Sequence, residues 1–285
     1  MIGTASANAR AGAPIGVFDS GVGGLSVLRA LRDELPDERF VYFADSGHAP
    51  YGERDDTHVI ARSRAVLASL RAEYGIKALV MACNTATAAA VHRLRAEHPH
   101  LPIIGVEPAL KPAVAASRTG QIGVMATRGT LGSIKFDALL ASLAGQAAFK
   151  LQPCDGLADA IERQDDSKVI ALCDRYVMGL GSFGPKIGQI DTLVLGCTHY
   201  PFAADVLQAR VGPNVRLIDT GDPVARHTRY VLKTRHMAMR PPQNPTGAAS
   251  HPTDGLILVS SGPAQILQSA ALRWLGLALP VRPHP

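Results

Sequence analysis

Short apolar runs alternate with helical patterns along most of this chain, and no other feature of the sequence restricts its fold as strongly. The runs have the length of buried strands, while segments such as 58–74 carry apolar residues at helical spacing. Strands that alternate with helices form parallel sheets covered on both faces. We therefore predict an α/β fold with strands at 15–18, 40–43, 78–82, 103–106, 122–125, 192–195, 215–218 and 256–259.

Two pairs of segments resemble each other and occur in the same order. IGVFDS (15–20) resembles IGVMAT (122–127), and VMACNT (80–85) resembles VLGCTH (194–199). Apolar strands that end in small polar residues are common, but two pairs with matched residues favour an internal duplication. We predict two pseudo-symmetric parallel-sheet α/β domains with the active site in the cleft between them. The first domain is 1–109, completed by 222–285, and the second is 110–221.

The composition is that of a soluble globular protein, with 47% hydrophobic and 19% charged residues among 285. No apolar run approaches the roughly 18 residues that could span a bilayer. Residues 1–14 lack the apolar centre of a secretory signal and are predicted to form a mobile tail. The stretch 240–253, rich in proline, glycine and small polar residues, is predicted to be a mobile loop.

The four cysteines contain no CxxC pair, which argues against a structural zinc site. Without a signal peptide they indicate reduced thiols and a cytoplasmic protein. We assign Cys154 and Cys173 to packing. The net charge of +5 favours anionic partners, but adjacent basic residues never number five and aromatic residues make up only 5%. A small anionic substrate therefore fits the charge without any need for nucleic acid.

The segment DSGVGG (19–24) follows an apolar strand and precedes a helical pattern at 25–31. Backbone N–H groups at such a helix start can hold an anion, which predicts a carboxylate- or phosphate-binding loop. The glycine spacing is neither that of a dinucleotide site nor that of a P-loop. An ordinary strand-to-helix turn capped by Ser20 explains the segment equally well.

Cys83 and Cys197 each end an apolar strand in the two similar segments. A thiol at a helix start experiences the positive end of the helix dipole, which lowers its pKa. Either cysteine alone is more simply read as a small buried hydrophobe. Two at equivalent strand ends favour proton transfer, in which one thiolate removes a proton from carbon and the opposite thiol donates one to the other face. This chemistry inverts the substrate and requires no cofactor.

Other polar residues adjoin these strand ends. His199 could tune or share a proton with Cys197, and Asp19 could do the same for Cys83. The alternatives without a catalytic role are that His199 is a hydrogen-bonded histidine near a helix start and that Asp19 is a helix cap. The turn-rich segment 44–52 could bring Tyr51 and Gly52 to a ligand. The side chains predicted to stabilise a substrate carboxylate are Ser20, Asn84, Thr85, Thr127 and Thr198.

Five motifs in order resemble those of the glutamate racemases, from about residue 15 to the region of 219–221: DSGVGGLSV (19–27), PYG (50–52), ACNTAT (82–87), GVEPALKPA (105–113) and GCTHYPF (196–202). The wider aspartate/glutamate racemase superfamily shares only part of this set. The resemblance implies interconversion of L- and D-glutamate without cofactor or metal, the supply of D-glutamate for peptidoglycan, and a homodimer.

The resemblance also implies residue roles. Cys83 would take the proton from D-glutamate and Cys197 from L-glutamate. The supporting groups would be Asp19, His199 and, on a looser match, Glu162. The substrate contacts would be Asp19, Ser20, Tyr51, Gly52, Asn84, Thr85, Thr198 and His199.

Two other kinds of function remain open at this point. One is a related enzyme that acts on aspartate or decarboxylates its substrate. The other is a binding protein for a small acid, or a regulator that contacts another protein through its basic surface, neither of which would exchange the substrate's α-hydrogen.

Overall fold

The computed structural model describes residues 11–239 and 255–284, so most of the predicted tail and the predicted loop at 240–253 lie outside the described residues. The chain divides into two compact units. Unit 1 contains the described residues up to Val106 and those from Gly221 onward, and unit 2 is Glu107–Thr220. In the described residues no helix is both long and apolar enough to cross a bilayer.

Unit 1 is built on a six-stranded sheet in which every pairing is parallel. Its strands are β1 (Ile15–Asp19), β2 (Phe40–Ala44), β3 (Ala78–Met81), β4 (Ile103–Gly105), β9 (Leu256–Ser260) and β10 (Val281–Pro283), in the order β10-β9-β2-β1-β3-β4. Its helices are α1 (Leu25–Glu34), α2 (Asp56–Tyr74), α3 (Asn84–Glu97), α10 (Gly221–Thr234) and α11 (Ala264–Leu275). Two 3-10 turns, Ser46–His48 and Tyr51–Glu53, follow β2.

Unit 2 has a four-stranded sheet that is also parallel throughout. Its strands are β5 (Gln121–Ala126), β6 (Ala148–Pro153), β7 (Thr192–Leu195) and β8 (Arg216–Ile218), in the order β6-β5-β7-β8. Its helices are α4 (Leu110–Ala116), α5 (Arg128–Leu131), α6 (Ile134–Ala141), α7 (Leu157–Glu162), α8 (Asp166–Leu180) and α9 (Ala204–Val211). A 3-10 turn, Tyr200–Ala203, precedes α9.

The two sheets share a topology. In unit 1 the central strand β1 lies between β2 and β3, and in unit 2 the central strand β5 lies between β6 and β7. The register also agrees, because Ile15 pairs with Ala78 while Ile122 pairs with Thr192. The pairing therefore supports the internal duplication that the repeated segments indicated.

The predicted α/β class with two parallel sheets is confirmed, and the C-terminal strand returns to the first sheet, where β9 pairs with β2. Two strands were missed. β6 and β10 are edge strands whose residues are mostly exposed or half-buried, so neither carries the continuous apolar run of a buried strand. They pair with β5 and β9, although their own sequences carry little strand signal.

An ion pair between Lys77 and Glu38 is buried in unit 1, with each side chain at most 2% exposed. Removing one partner leaves the other charge buried and uncompensated. We expect Lys77→Met to lower the free energy of unfolding by about 3 kcal/mol, measured by urea denaturation. The matched control is Arg64→Met, which breaks the solvent-exposed pair with Glu97 and is expected to change stability far less. Equal losses in the two variants would contradict the prediction.

Candidate active site

Cys83 lies directly beyond the carboxyl end of β3 and caps the N-terminus of α3. Its sulfur accepts a hydrogen bond from the backbone N–H of Ala86 at 3.4 Å, and the Ser20 hydroxyl lies 3.5 Å from it. The residue is 5% exposed. The position of Cys83 follows from the sequence, because the apolar run of β3 ends at a short polar segment that begins a helix.

Burial and the neighbouring Asp19 carboxylate raise the pKa of Cys83 to about 12, and hydrogen bonds from Ser20 and Ala86 only partly oppose this. The expected lowering of this pKa was therefore wrong in direction. The helix start does supply an N–H donor, but desolvation and a nearby negative charge outweigh it. Cys83 is consequently a protonated thiol at neutral pH.

Asp19 ends β1 and folds the glycine-rich segment around its carboxylate. The backbone N–H of Ser20 donates to Oδ1 at 2.7 Å, and the N–H of Gly24 donates to Oδ2. A Cβ at Gly24 would lie 2.8 Å from the Cβ of Asp19, so this close turn needs glycine. The segment thus binds an internal carboxylate with these two N–H groups, and it places the Asp19 charge beside Cys83.

The remaining candidates of unit 1 surround the start of α3. Gly52 lies against Thr85, whose hydroxyl oxygen would be 3.9 Å from a Cβ at position 52. Tyr51 is buried, and its hydroxyl donates to Asp45. Asn84 is 8% exposed, and among the described residues neither its amide nitrogen nor its amide oxygen has a hydrogen-bond partner. A buried amide without partners is costly, which marks Asn84 as a group poised to bind a polar ligand.

Cys197 lies just beyond the carboxyl end of β7 and has a different environment. His199 Nδ1 is 3.7 Å from its sulfur, and His199 Nε2 is 2.9 Å from Glu162 Oε2 at the end of α7. The structure therefore places Glu162, which the sequence analysis named only through the resemblance, beside the Cys197–His199 pair that it had already proposed. Burial acts to lower the pKa of His199, but hydrogen bonds and charge interactions with Cys197 and Glu162 raise it well above its usual value.

The expected helix start after Cys197 is absent. The following residues form a turn and the 3-10 helix Tyr200–Ala203, so α9 begins only at Ala204. The imidazole of His199 replaces the helix N-terminus as the group beside this sulfur. The residue before it, Gly196, packs tightly, because a Cβ there would lie 2.9 Å from the carbonyl oxygen of Met125.

The last predicted residues of unit 2 are distributed differently. Thr198 is buried next to Cys197, whereas the Thr127 hydroxyl caps α5 by accepting from the N–H of Thr130 at 3.2 Å. Cys154 and Cys173 are buried, as expected for packing residues, and burial raises the pKa of both thiols. In the described part of the chain, no cluster of three or more His, Cys, Asp or Glu side chains could hold a metal ion.

The two sulfurs occupy the same place in the two repeats. Cys83 is the fifth residue after Ala78, the partner of Ile15, and Cys197 is the fifth residue after Thr192, the partner of Ile122. Residues 15–228, which include both cysteines, match the Asp/Glu/Hydantoin racemase family. The chain belongs to this family.

Racemases of known sequence and structure agree with this assignment. A glutamate racemase from Stutzerimonas stutzeri is 52% identical over 79% of this chain and 84% of its own length. A glutamate racemase isoform from Bacillus anthracis superposes with a TM-score of 0.81, at 30% identity, over 96% of this chain and 97% of its own. The Escherichia coli glutamate racemase, solved with L-glutamate and the activator UDP-MurNAc-ala, has a TM-score of 0.76 at 28% identity, covering 92% and 95% of the two chains.

Proposed function

We propose that this protein is a glutamate racemase that interconverts L- and D-glutamate by a two-cysteine, cofactor-independent mechanism. The observation that carries the proposal is the placement of two thiols at equivalent strand ends of a duplicated fold. Membership of the racemase family and about 50% identity to a glutamate racemase support it. The product D-glutamate would serve the synthesis of peptidoglycan.

The two thiols would act on opposite faces of one substrate. With L-glutamate, the Cys197 thiolate takes the α-proton, so that the C–H bond breaks and an S–H bond forms. The electron pair is delocalised into the substrate carboxylate, and the Cys83 thiol then donates its proton to the opposite face of the carbon. The reverse reaction starts with the proton on Cys197.

The surroundings of the sulfurs suit this direction of proton transfer. Cys83 has a pKa of about 12 and therefore begins as the acid. Hydrogen bonds with Cys197 and Glu162 raise the pKa of His199 well above its usual value, and its Nδ1 lies 3.7 Å from the Cys197 sulfur.

In the reverse direction Cys83 must first lose its proton. The hydrogen bonds that its sulfur receives from Ser20 and Ala86 favour the thiolate, and we propose Asp19 as the base that accepts the proton.

The negative charge that develops on the substrate carboxylate also needs hydrogen-bond donors that are already buried and oriented before the substrate binds. Asn84 is the best-supported of these, because its buried amide has no hydrogen-bond partner in the part of the chain that the structure describes. We propose Asp19, Ser20, Tyr51, Gly52, Thr85, Thr127, Thr198 and His199 as the further substrate contacts. Thr127 is the least available of them, since its hydroxyl already caps α5.

The test is exchange of the substrate's α-hydrogen in heavy water. We expect the wild-type protein to convert either enantiomer of glutamate to the racemate, with deuterium at the α-carbon of the product. Aspartate incubated in parallel distinguishes a related racemase, and release of carbon dioxide would identify a decarboxylase. Glutamate that binds but neither racemises nor exchanges would contradict the proposal and indicate a binding protein.

The proposal also covers the domain organisation, the cellular location and the oligomeric state of the protein. We propose that each unit is a domain, that the protein acts in the cytoplasm, and that it forms a homodimer. Sedimentation velocity across a concentration series tests the dimer, and a species of 30.0 kDa at all concentrations would exclude it.

A further inference from the structure

Asp45 is the first residue after β2, and its side chain is completely buried. Three residues from separate parts of unit 1 bind its carboxylate, in addition to the neighbouring His48. They are Tyr51 in the following 3-10 turn, Arg62 in α2, and Ser261 directly after β9. None of these contacts belongs to the proposed proton-transfer chemistry, so the cluster needs another explanation.

Arg62 binds Asp45 through both arms of its guanidinium. Nε donates to Oδ2 at 3.0 Å and Nη2 donates to Oδ1 at 2.9 Å. A bidentate contact fixes the plane of the carboxylate as well as its position. Burial alone would raise the pKa of Asp45, but the hydrogen bonds from Arg62, Tyr51 and Ser261 lower it below its usual value. The carboxylate therefore remains charged at neutral pH.

The fixed carboxylate of Asp45 holds the side chain of Tyr51 in place. Its hydroxyl donates to Asp45 Oδ2, while its ring packs edge-on against Phe18 and His58. Burial and the Asp45 charge raise the pKa of Tyr51, so the phenol stays neutral. Gly52, the next residue, lies against Thr85 at the start of α3. The Asp45–Tyr51 contact consequently anchors the backbone that faces this helix start.

Ser261, in the C-terminal part of unit 1, contacts the segment that begins at Asp45. The Ser261 hydroxyl donates to Asp45 Oδ1 at 2.7 Å and accepts from the backbone N–H of Gly47 at 3.1 Å. The backbones are in close contact here. A Cβ at Gly47 would lie 2.6 Å from the carbonyl oxygen of Ser261, and a Cβ at Gly262 would lie 2.8 Å from the nitrogen of Gly47.

We propose that Asp45 is a positioning residue, which uses Arg62 and Ser261 to hold Tyr51 and Gly52 in the geometry that binds the substrate. The inference rests on the proposed function, in which Tyr51 and Gly52 contact glutamate. It assigns β9 and the turn after it a role beyond completing the sheet. Asp45 accepts hydrogen bonds from Tyr51 within the segment 46–52, from Arg62 in α2 and from Ser261 after β9, and so ties this segment to two other parts of unit 1.

The experiment compares Asp45→Asn with Asp191→Asn. Asp191 is also buried, also has a lowered pKa, and also accepts from a serine hydroxyl. It directly precedes β7, however, and therefore lies at the opposite end of that strand from Cys197. We expect Asp45→Asn to reduce kcat/KM for glutamate by about tenfold to a hundredfold, chiefly through KM. Asp191→Asn should lower the Tm while leaving KM and kcat unchanged.

A milder pair keeps the test decisive if Asp45→Asn does not fold. Ser261→Ala and Ser117→Ala each remove a serine that donates to a buried aspartate and accepts from a glycine N–H. We expect only Ser261→Ala to raise KM, and Arg62→Lys to have an intermediate effect because lysine keeps the charge without the bidentate contact. Unchanged KM in Ser261→Ala and Arg62→Lys would overturn the inference while wild-type racemisation still supports the proposed function.

Discussion

Replacement of Cys83 by alanine is expected to abolish racemisation of both enantiomers, with kcat/KM reduced by at least about a thousandfold. The variant lacks the thiol that protonates one face of the α-carbon, and the hydroxyl of Ser20 beside it is too weak an acid to take over. Because the equilibrium constant of a racemisation is one, kcat/KM must fall by the same factor in both directions. Circular dichroism measured from each pure enantiomer follows the reaction directly.

The matched control is Cys173→Ala. Cys173 is buried like Cys83 and its pKa is also raised, but it lies within α8 among packing residues. Its loss should reduce stability through a small cavity and leave the rate intact. Cys197→Ala should behave like Cys83→Ala. A Cys83→Ala protein that retains its fold and near-normal turnover would eliminate the two-thiol mechanism, whereas equal damage by Cys173→Ala would show that the effect is structural.

The sequence predicted those features that depend on local pattern. β7 was located to the residue, and β1 and β3 to within one residue, because their apolar runs are buried on both faces and end at polar turns. The two cysteines were identified because their strand-end segments repeat. The edge strands β6 and β10 were missed since exposed strands carry no comparable run.

Features that depend on distant partners could not be predicted in this way. The pKa of Cys83 rises because of how deeply the folded chain buries it and where it places Asp19. The cluster around Asp45 joins residues from β2, α2 and the turn after β9, which no spacing rule connects. Glu162 was assigned only through a loose resemblance, and its contact with His199 is visible only in the fold.

That contact gives the second large expected effect, from Glu162→Gln. The carboxylate of Glu162 is one of the groups that keep the pKa of His199 well above its ordinary value. Glutamine occupies nearly the same space without the charge, so the pKa of His199 should fall. The imidazolium beside Cys197 would then be lost at a lower pH. We expect kcat/KM at pH 8 to drop by about a hundredfold, and the alkaline limb of the pH–rate profile to move to lower pH.

The free energy of unfolding should depend on pH through the same ionisation of His199. A histidine whose pKa is raised on folding stabilises the protein fully below its unfolded pKa of about 6.5, and this contribution is lost as the pH rises through the folded pKa. The stability difference between wild type and Glu162→Gln should therefore be largest in mild acid and shrink as the pH rises. The control Asp159→Asn removes an exposed carboxylate from the same helix and should alter neither profile. A Glu162→Gln protein with the wild-type pH–rate profile would show that Glu162 does not set the charge of His199.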